Sequence, residues 1–336
     1  MTRRSVFLWF LVGLTLTAPL SPSASAQSRR ILIGYSSLSS NQAAIWVAKE
    51  AGFFKKAGLD AELVLIEGGT RGAQALISGD LPVLAMAGQP VISARARGAD
   101  LVLIAAFVNR MNYILAAAPA VKRPEDLKAK RIAVSQFGTS SYHAVILALK
   151  HWKMDAKRDG ITLLQVGNQG SRVASLHSGG SDAAIVNPGL GPALKARGLN
   201  ILADFTELPV PYPQMVLGTR ESFLKNEPDL AERILKAMVS ANAFIMEPKN
   251  KEEIKSVLAK YLRLGGAAAA EEHYESALKV FSKKPFVDPK GISSMIEFMG
   301  ETDPAVAALK PEAVIHHALL KKLDEAGFLG APQSRP

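Results

Sequence analysis

Apolar and polar positions follow one another in a repeating order along most of the chain. Ile31-Leu32-Ile33-Gly34-Tyr35 is a short apolar run, and Ser36-Ser37-Leu38-Ser39-Ser40 is a polar turn after it. The run predicts a strand, and 41–51 predicts a helix closed by Gly52, a residue suited to the left-handed position past a helix end. The order then returns as strand 62–66, turn Gly68-Gly69-Thr70 and helix 71–78, ended by Gly79-Asp80. It returns again as strand 83–86, turn Ala87-Gly88-Gln89-Pro90, a helix to Arg97, and strand 101–104. Strands alternating with helices of this length predict an α/β chain with parallel pairing.

A second stretch repeats the plan. Arg30-Ile31 corresponds to Arg131-Ile132, Leu76-Ile77-Ser78-Gly79 to Leu176-His177-Ser178-Gly179, and Arg97-Gly98-Ala99-Asp100-Leu101 to Arg197-Gly198-Leu199-Asn200-Ile201. A long repeat of this kind predicts two similar lobes rather than a solenoid. Two extended apolar runs, Tyr113-Ile114-Leu115-Ala116 and Met215-Val216-Leu217, read as crossovers forming a hinge, with Pro209, Pro211 and Pro213 crowding the return path. The predicted organisation is lobe one from 27–112 plus 217–330, and lobe two over 113–216. Beyond Arg220 the pattern is helical. Pro228 suits a helix start, Leu230, Ile234, Leu235 and Met238 share a face, and further helices fall near 252–262, 270–281, 291–300 and 312–326. Residues 331–336 are expected to form a disordered tail.

One turn stands out. Arg131-Ile132-Ala133-Val134 leads into Ser135-Gln136-Phe137-Gly138-Thr139-Ser140-Ser141-Tyr142, after which Tyr142, Val145, Ile146 and Leu149 mark one helical face. A strand, a glycine turn and a hydroxyl cluster at a helix start suit an anion or polar ligand, because first-turn N–H groups lack intrahelical partners. The same residues also suit simple N-capping by Thr139, Ser140 or Ser141.

The N-terminus changes where this chain is expected to act. Met1-Thr2-Arg3-Arg4, an apolar run from Val6 to about Leu20, and Ala24-Ser25-Ala26 read as a secretory signal peptide covering 1–26, cleaved after Ala26. No later apolar run is long enough to span a bilayer. The chain has 0 Cys, which excludes disulfides, thiolate metal sites, a cysteine nucleophile and a lipidated cysteine anchor. The expected location is the bacterial periplasm.

The formal charge is +10, and loss of Arg3 and Arg4 with the leader takes it to +8. Roughly 310 residues then remain, enough for two cores. The basic residues are dispersed and aromatics make up 7% of the chain, which argues against nucleic-acid binding and mildly for anionic ligands.

Catalytic signatures are missing: there is no G-x-S-x-G, no H-E-x-x-H and no Walker A sequence. Gly189-Leu190-Gly191 lacks the third glycine of a dinucleotide fingerprint and reads as a turn. His316-His317 are adjacent and point about 100° apart on a helix, unsuited to one shared metal. His143 is open to a structural or a site-lining role. No catalytic residue, metal or cofactor is expected.

What remains is a set of turns at strand C-terminal ends, where α/β folds bind ligands. Lobe one offers Ser36, Ser37, Ser39, Asn41, Gly69, Thr70, Gly88 and Gln89. Lobe two offers Ser135, Phe137, Gly138, Thr139, Ser140, Ser141, Asn168 and Asn187. They are rich in hydroxyls and amides and poor in carboxylates, a lining that binds. Arg71, Arg110 and Arg172 are open to adding charge or to solvated surface roles.

Arg131-Ile132-Ala133-Val134-Ser135 with Gly138-Thr139 and a helix, then Gln165-Val166-Gly167, is similar to lobe two of ABC-transporter substrate-binding proteins of the nitrate, sulfonate, taurine and bicarbonate type. Ala48-Lys49-Glu50-Ala51-Gly52-Phe53-Phe54-Lys55-Lys56-Ala57-Gly58-Leu59 is the most specific match, followed by Gly68-Gly69 and Gly79-Asp80. Binders of thiamine pyrimidine precursors share the fold. The resemblance covers about residues 30 to 250. It implies a two-lobed periplasmic-binding-protein type II fold, each lobe a mostly parallel sheet flanked by helices, with a helical C-terminal segment. It further implies a monomer that closes on a small-molecule ligand and delivers it to a membrane permease. Phe53 and Phe54 belong to that motif as a packing pair. Pyrimidine-synthesising relatives use a cysteine-rich motif, which this chain cannot supply. Ser141-Tyr142-His143 stands where many relatives carry an acid, so the resemblance favours an anion, an aromatic or carboxylated one suiting Phe137 and Tyr142. An exported enzyme with His143 as base, or a subunit presenting ligand to a membrane kinase, are the alternatives.

Overall fold

Burial along the first strand, β1 (Arg29–Tyr35), shows how the apolar run becomes structure: Ile31 and Ile33 turn into the core while Leu32 faces outward. The computed structural model describes residues 28–207, 211–331 and 335–336. The expected signal peptide with its cleavage after Ala26, Pro209 of the return path, and 332–334 of the expected tail lie outside the described residues.

After β1 the chain forms α1 (Ala43–Glu50), α2 (Phe53–Lys56), β2 (Leu59–Leu65), α3 (Gly69–Ser78), β3 (Val83–Met86), α4 (Gln89–Ala96) and β4 (Leu101–Arg110). Lobe two follows as β5 (Ile114–Ala117), β6 (Arg131–Val134), α5 (Ser140–His151), β7 (Thr162–Gln165), α6 (Gln169–His177), β8 (Ala183–Val186), α7 (Gly191–Ala196) and β9 (Asn200–Asp204). Then β10 (Pro211–Arg220) returns, followed by α8 (Glu221–Asn226), α9 (Pro228–Met246), α10 (Lys251–Leu262), α11 (Glu271–Leu278), α12 (Pro289–Gly300), α13 (Pro304–Ala307) and α14 (Ala318–Glu325).

Two five-stranded sheets result, ordered β2-β1-β3-β10-β4 and β7-β6-β8-β5-β9. Replacing β1, β2, β3 and β4 by β6, β7, β8 and β9 turns the first order into the second, with β10 and β5 in the same slot. The strand in that slot is the one arriving from the other lobe. β10 runs antiparallel to β3 and β4, and β5 antiparallel to β8 and β9, while β1 pairs in parallel with β2 and β3, and β6 with β7 and β8. The pairing is therefore mixed where a mostly parallel sheet is expected, because each crossover strand enters its sheet from the hinge end. Equivalent helix ends are also kept: Gly79 and Gly179 both adopt left-handed φ, 89° and 74°.

Residues 211–216, placed by the pattern with lobe two, run in the first sheet as the start of β10, where Met215 pairs with Val108 and Val216 with Ala106. Pro211 and Pro213, which crowd the return path of the hinge, fall in the irregular end of the strand, where shifts in register relieve the ladder of their missing N–H groups. β2 begins at Leu59, which is buried, just after Gly58 turns the chain with φ 70°.

One face of the first sheet packs on α1, α2 and α9, with Trp46 and Phe54 among its largest fully buried side chains. Leu230, Ile234, Leu235 and Met238, the predicted α9 face, are all buried there. Trp46 stacks on Tyr261 at 4.9 Å, which ties α10 to the same core. The opposite face, with Leu84 and Met86, shares a continuous core with Ile92 of α4, with Ile292 and Met295 of α12 and with Ile132, Val134 and Val145 of lobe two. The helices after β10 therefore touch both lobes.

Candidate functional site

The turns after β1, β2, β3, β6, β7 and β8 face one another across a cavity of about 710 Å³ between the sheets. Its floor is the hinge, where Tyr113 and Gln214 lie, and one wall comes from Leu262, Arg263, Leu264 and His273 at the α10–α11 junction. Of the residues singled out from sequence, Ser36, Ser37, Ser39, Asn41, Gly69, Gln89, Ser135, Thr139, Ser140, Asn168 and Asn187 line this cavity.

Five others stand elsewhere. Ser141 is buried with its hydroxyl turned back to accept from the Ser135 N–H at 2.9 Å. Phe137 is 53% exposed, its ring edge-on to Tyr142 at 5.7 Å, so it points out of the turn. Gly138 is the apex of that turn, with φ 75° and no atom within 4 Å of where a Cβ would sit. Gly88 is buried against Pro213 and Met295, and Thr70 is exposed on α3. Arg71 and Arg172 reach the cavity lining; Arg110, exposed at the end of β4, does not.

The lobe-two turn is built by its own hydroxyls. The Thr139 hydroxyl donates to the Gln136 carbonyl at 2.7 Å and shares a hydrogen bond with Ser135 at 2.8 Å. With Thr139 and Ser141 so engaged, α5 starts without a side-chain cap. The capping reading of this cluster therefore gives way: the hydroxyls shape the turn and the first-turn N–H groups stay uncapped. α3 begins without a side-chain cap too, whereas Asn168 caps α6 by accepting from the Ser171 N–H at 3.0 Å.

Several hydrogen bonds cross between the lobes or reach the hinge. Asn187 Nδ2 donates to Ser39 Oγ at 2.7 Å, both residues being buried. The Tyr113 and Ser140 hydroxyls are 2.9 Å apart. Asn112 Nδ2 donates to Asn41 Oδ1 at 2.6 Å, and the Asn112 N–H donates to Gln214. At the mouth the lobe tips meet, since a Cβ on Gly68 would lie 3.4 Å from Gln136 Oε1.

Arg172 is the unusual charge. It is 4% exposed, and its Nε donates to the Ile185 carbonyl at 2.7 Å and its Nη1 to the Gly167 carbonyl at 2.6 Å. Both acceptors are uncharged, and among the described residues no carboxylate pairs with this guanidinium. Burial pulls its pKa below the usual arginine value, opposed by the nearby Tyr113. A guanidinium held this way in a cavity wall attracts an anion. The other charged lining groups are Arg71, Arg263 and the carboxylate Glu67, so the cavity is positive on balance.

His143 sits behind the lining rather than in it. Its Nδ1 shares a hydrogen bond with the Tyr212 hydroxyl at 2.9 Å, and Gln89 also bonds Tyr212. Its ring meets Phe298 of α12 at 4.4 Å. Burial pushes the imidazole down to about 4 and the Tyr212 phenol well up, so both stay neutral at ordinary pH. Among the described residues there is no group of three potential metal ligands and no helix long and apolar enough to cross a membrane.

The Gly189 turn, read from sequence as a plain connection, is a short 3-10 turn pressed against α11. A Cβ there would lie 2.5 Å from His273 Nδ1 and 2.8 Å from its Cα. Sequence reasoning passed over Gln42, Glu67, Tyr113, Gln214, Arg263 and His273 as lining residues. Gln42 and Tyr113 carried a usable signal, being next to Asn41 and at the head of a crossover run. The residues near α11 carried none.

The chain has the two-lobed periplasmic-binding-protein fold, with its cavity between the two sheets. The chain belongs to the NMT1/THI5-like family, whose profile matches residues 39–251. A protein of Bordetella bronchiseptica RB50 is similar in structure at 21% identity, covering 90% of this chain and 98% of that one with a TM-score of 0.77. The alkanesulfonate-binding protein SsuA of Xanthomonas axonopodis pv. citri, bound to MOPS, is 18% identical, with coverage of 85% and 97% and a TM-score of 0.69. The periplasmic nitrate-binding protein NrtA of Synechocystis PCC 6803 is 15% identical, with coverage of 92% and 93% and a TM-score of 0.68. No curated protein sequence matches the chain.

Proposed function

We propose that this protein is the periplasmic solute-binding component of an ABC importer, capturing a small organic anion such as a sulfonate or carboxylate by closure of its lobes. The observation that carries this reading is Arg172: a buried guanidinium in the cavity wall that, among the described residues, donates to two carbonyls and pairs with no carboxylate. Uncapped starts of α3 and α5 add N–H donors to the same space, favourable to negative charge. The volume of about 710 Å³ suits an organic molecule better than a bare inorganic ion. Sulfonate and nitrate binders among the structural neighbours agree with an anionic ligand. A carrier needs a site that holds and releases without chemistry, and the one histidine considered as a base, His143, lies outside the lining and is kept neutral by burial. Lobe closure would bury the ligand, with bonds such as Asn187 to Ser39 stabilising the closed form.

Thermal-shift and calorimetric titration of protein stripped of co-purified ligand test this, using sulfonates, carboxylates, nitrate and pyrimidines. Stabilisation by organic anions is expected. No response to any anion, or a response to neutral pyrimidines alone, overturns it. Recovery of permease subunits in a membrane pull-down tests the transport role, and recovery of a kinase would replace it.

A further inference from the structure

The buried side chains of the cavity lining carry unpartnered polar atoms of two kinds. Gln42 Oε1, Gln89 Oε1, Gln214 Nε2 and His273 Nδ1 are closed off, so no ligand reaches them. Asn41 Nδ2, Arg172 Nη2, Asn187 Oδ1 and His273 Nε2 also lack a hydrogen-bond partner among the described residues, yet they remain open. Their residues are only 5%, 4%, 2% and 4% exposed. Buried polar groups are almost always paired, so open, unpaired atoms on such side chains point to a molecule that completes them.

His273 is the informative member. Its Nδ1 lies in the contact with Gly189, where a proton would be a buried donor with nothing to receive it. The single proton of the neutral ring therefore belongs on Nε2, the open atom. Burial lowers the imidazole pKa, which keeps the ring neutral. Nε2–H is then a donor aimed at the cavity, and Asn41 Nδ2 and Arg172 Nη2 are donors too. Asn187 Oδ1, an acceptor, takes no part in holding an anion.

The three donors come from separate segments that meet at one place. Asn41 lies in the 3-10 turn 40–42, and α11, which carries His273, packs on that turn and on the turn 188–190 after β8. Arg172, on α6, holds the Ile185 carbonyl of β8 itself. Resting on the organic-anion reading above, we propose that His273 is a ligand-binding residue, its Nε2–H donating to the same anionic group that meets Arg172, with Asn41 as a third donor. The anion then bridges lobe two and α11, so that binding draws this late helix onto the lobe-two wall.

His273→Gln and His273→Phe separate binding from packing, because glutamine keeps an N–H donor near the Nε2 position and phenylalanine keeps only the ring. Calorimetry on the full mature chain uses butane-1-sulfonate and butanoate, whose anionic groups are their only hydrogen-bonding groups. Any other anion that shifts the melting temperature replaces them if neither binds. Affinity should fall about tenfold or more in the phenylalanine variant and stay within about threefold of wild type in the glutamine variant. Wild-type affinity in a folded phenylalanine variant, or equal losses in both variants, overturns the proposal while leaving anion capture intact. If no anion binds the wild type, the organic-anion reading falls and takes this one with it. Nitrogen-15 NMR of the wild-type imidazoles decides the question should the variants fail to fold. The His273 proton should sit on Nε2 and its resonance should move on anion binding, whereas a proton on Nδ1 or an unmoved Nε2 signal overturns the proposal.

Discussion

Gly189 lies against His273, so close that a single added methyl would meet the imidazole Nδ1 at 2.5 Å and the backbone Cα at 2.8 Å. The contact joins the turn after β8 to α11, two segments of different lobes and distant sequence. Gly189→Ala must push α11 away, because backbone cannot yield as a flexible side chain does. A loss of about 1–3 kcal/mol in stability is expected, with weaker ligand binding as the cavity wall shifts. Urea unfolding and calorimetry check both, and an unchanged melting temperature with unchanged affinity would refute the contact.

Ser39 and Asn187 offer a second cross-lobe test. Ser39→Ala leaves the buried Asn187 Nδ2 without its acceptor, at a cost of about 1–3 kcal/mol. Replacing both, Ser39→Ala with Asn187→Leu, should cost less than the sum of the single changes, since no donor is then stranded. Simple additivity in a double-mutant cycle would mean that the two side chains do not couple.

Arg172→Met removes the buried positive charge while keeping an unbranched apolar stem. Affinity for an organic anion should fall about 10- to 100-fold, in line with loss of a charge-assisted hydrogen bond. The Ile185 and Gly167 carbonyls also lose their donor, so circular dichroism must accompany the titration. A folded variant with wild-type affinity would remove Arg172 from the binding role.

His143 should make stability depend on pH. Burial holds the folded imidazole near 4, against 6.5 in the unfolded chain. Between these values the unfolded chain binds the extra proton, so stability rises with pH across that window. The contribution is complete above about pH 6.5 and is lost as pH falls toward 4, on the order of 3 kcal/mol in all. Gln89, Tyr212 and Phe298, which surround the ring, offer no carboxylate to offset the loss. Denaturation at pH 7 and pH 5 in wild type and His143→Phe should show the slope in the first and a flatter one in the second.

The repeated strand-turn-helix order was legible because each element is written locally, in an apolar run and a glycine such as Gly79 or Gly179. The turns that bring Ser36, Ser39, Ser135 and Asn187 to one cavity followed from the rule that ligands bind at strand C-terminal ends. What local pattern does not encode is long-range placement. Pro211 and Pro213 read with the hinge crossover of lobe two because nothing nearby shows that β3 and β4 wait on either side of β10. Ser141 looked like its neighbours Thr139 and Ser140, yet hydrogen bonds to the N–H and hydroxyl of Ser135 turn it away. His273 sits on a helix of ordinary polarity, and only the fold shows that it closes a wall.

That wall comes from a part of the chain beyond residue 251, where the family match ends. Arg263 and His273 belong to this later segment, and Phe298 further along holds α12 to lobe two. Loss of this segment would remove one side of the chamber and uncover the cores that Tyr261 and α12 close. Changes in the later helices alone are therefore a route to a new ligand preference, leaving the duplicated scaffold untouched.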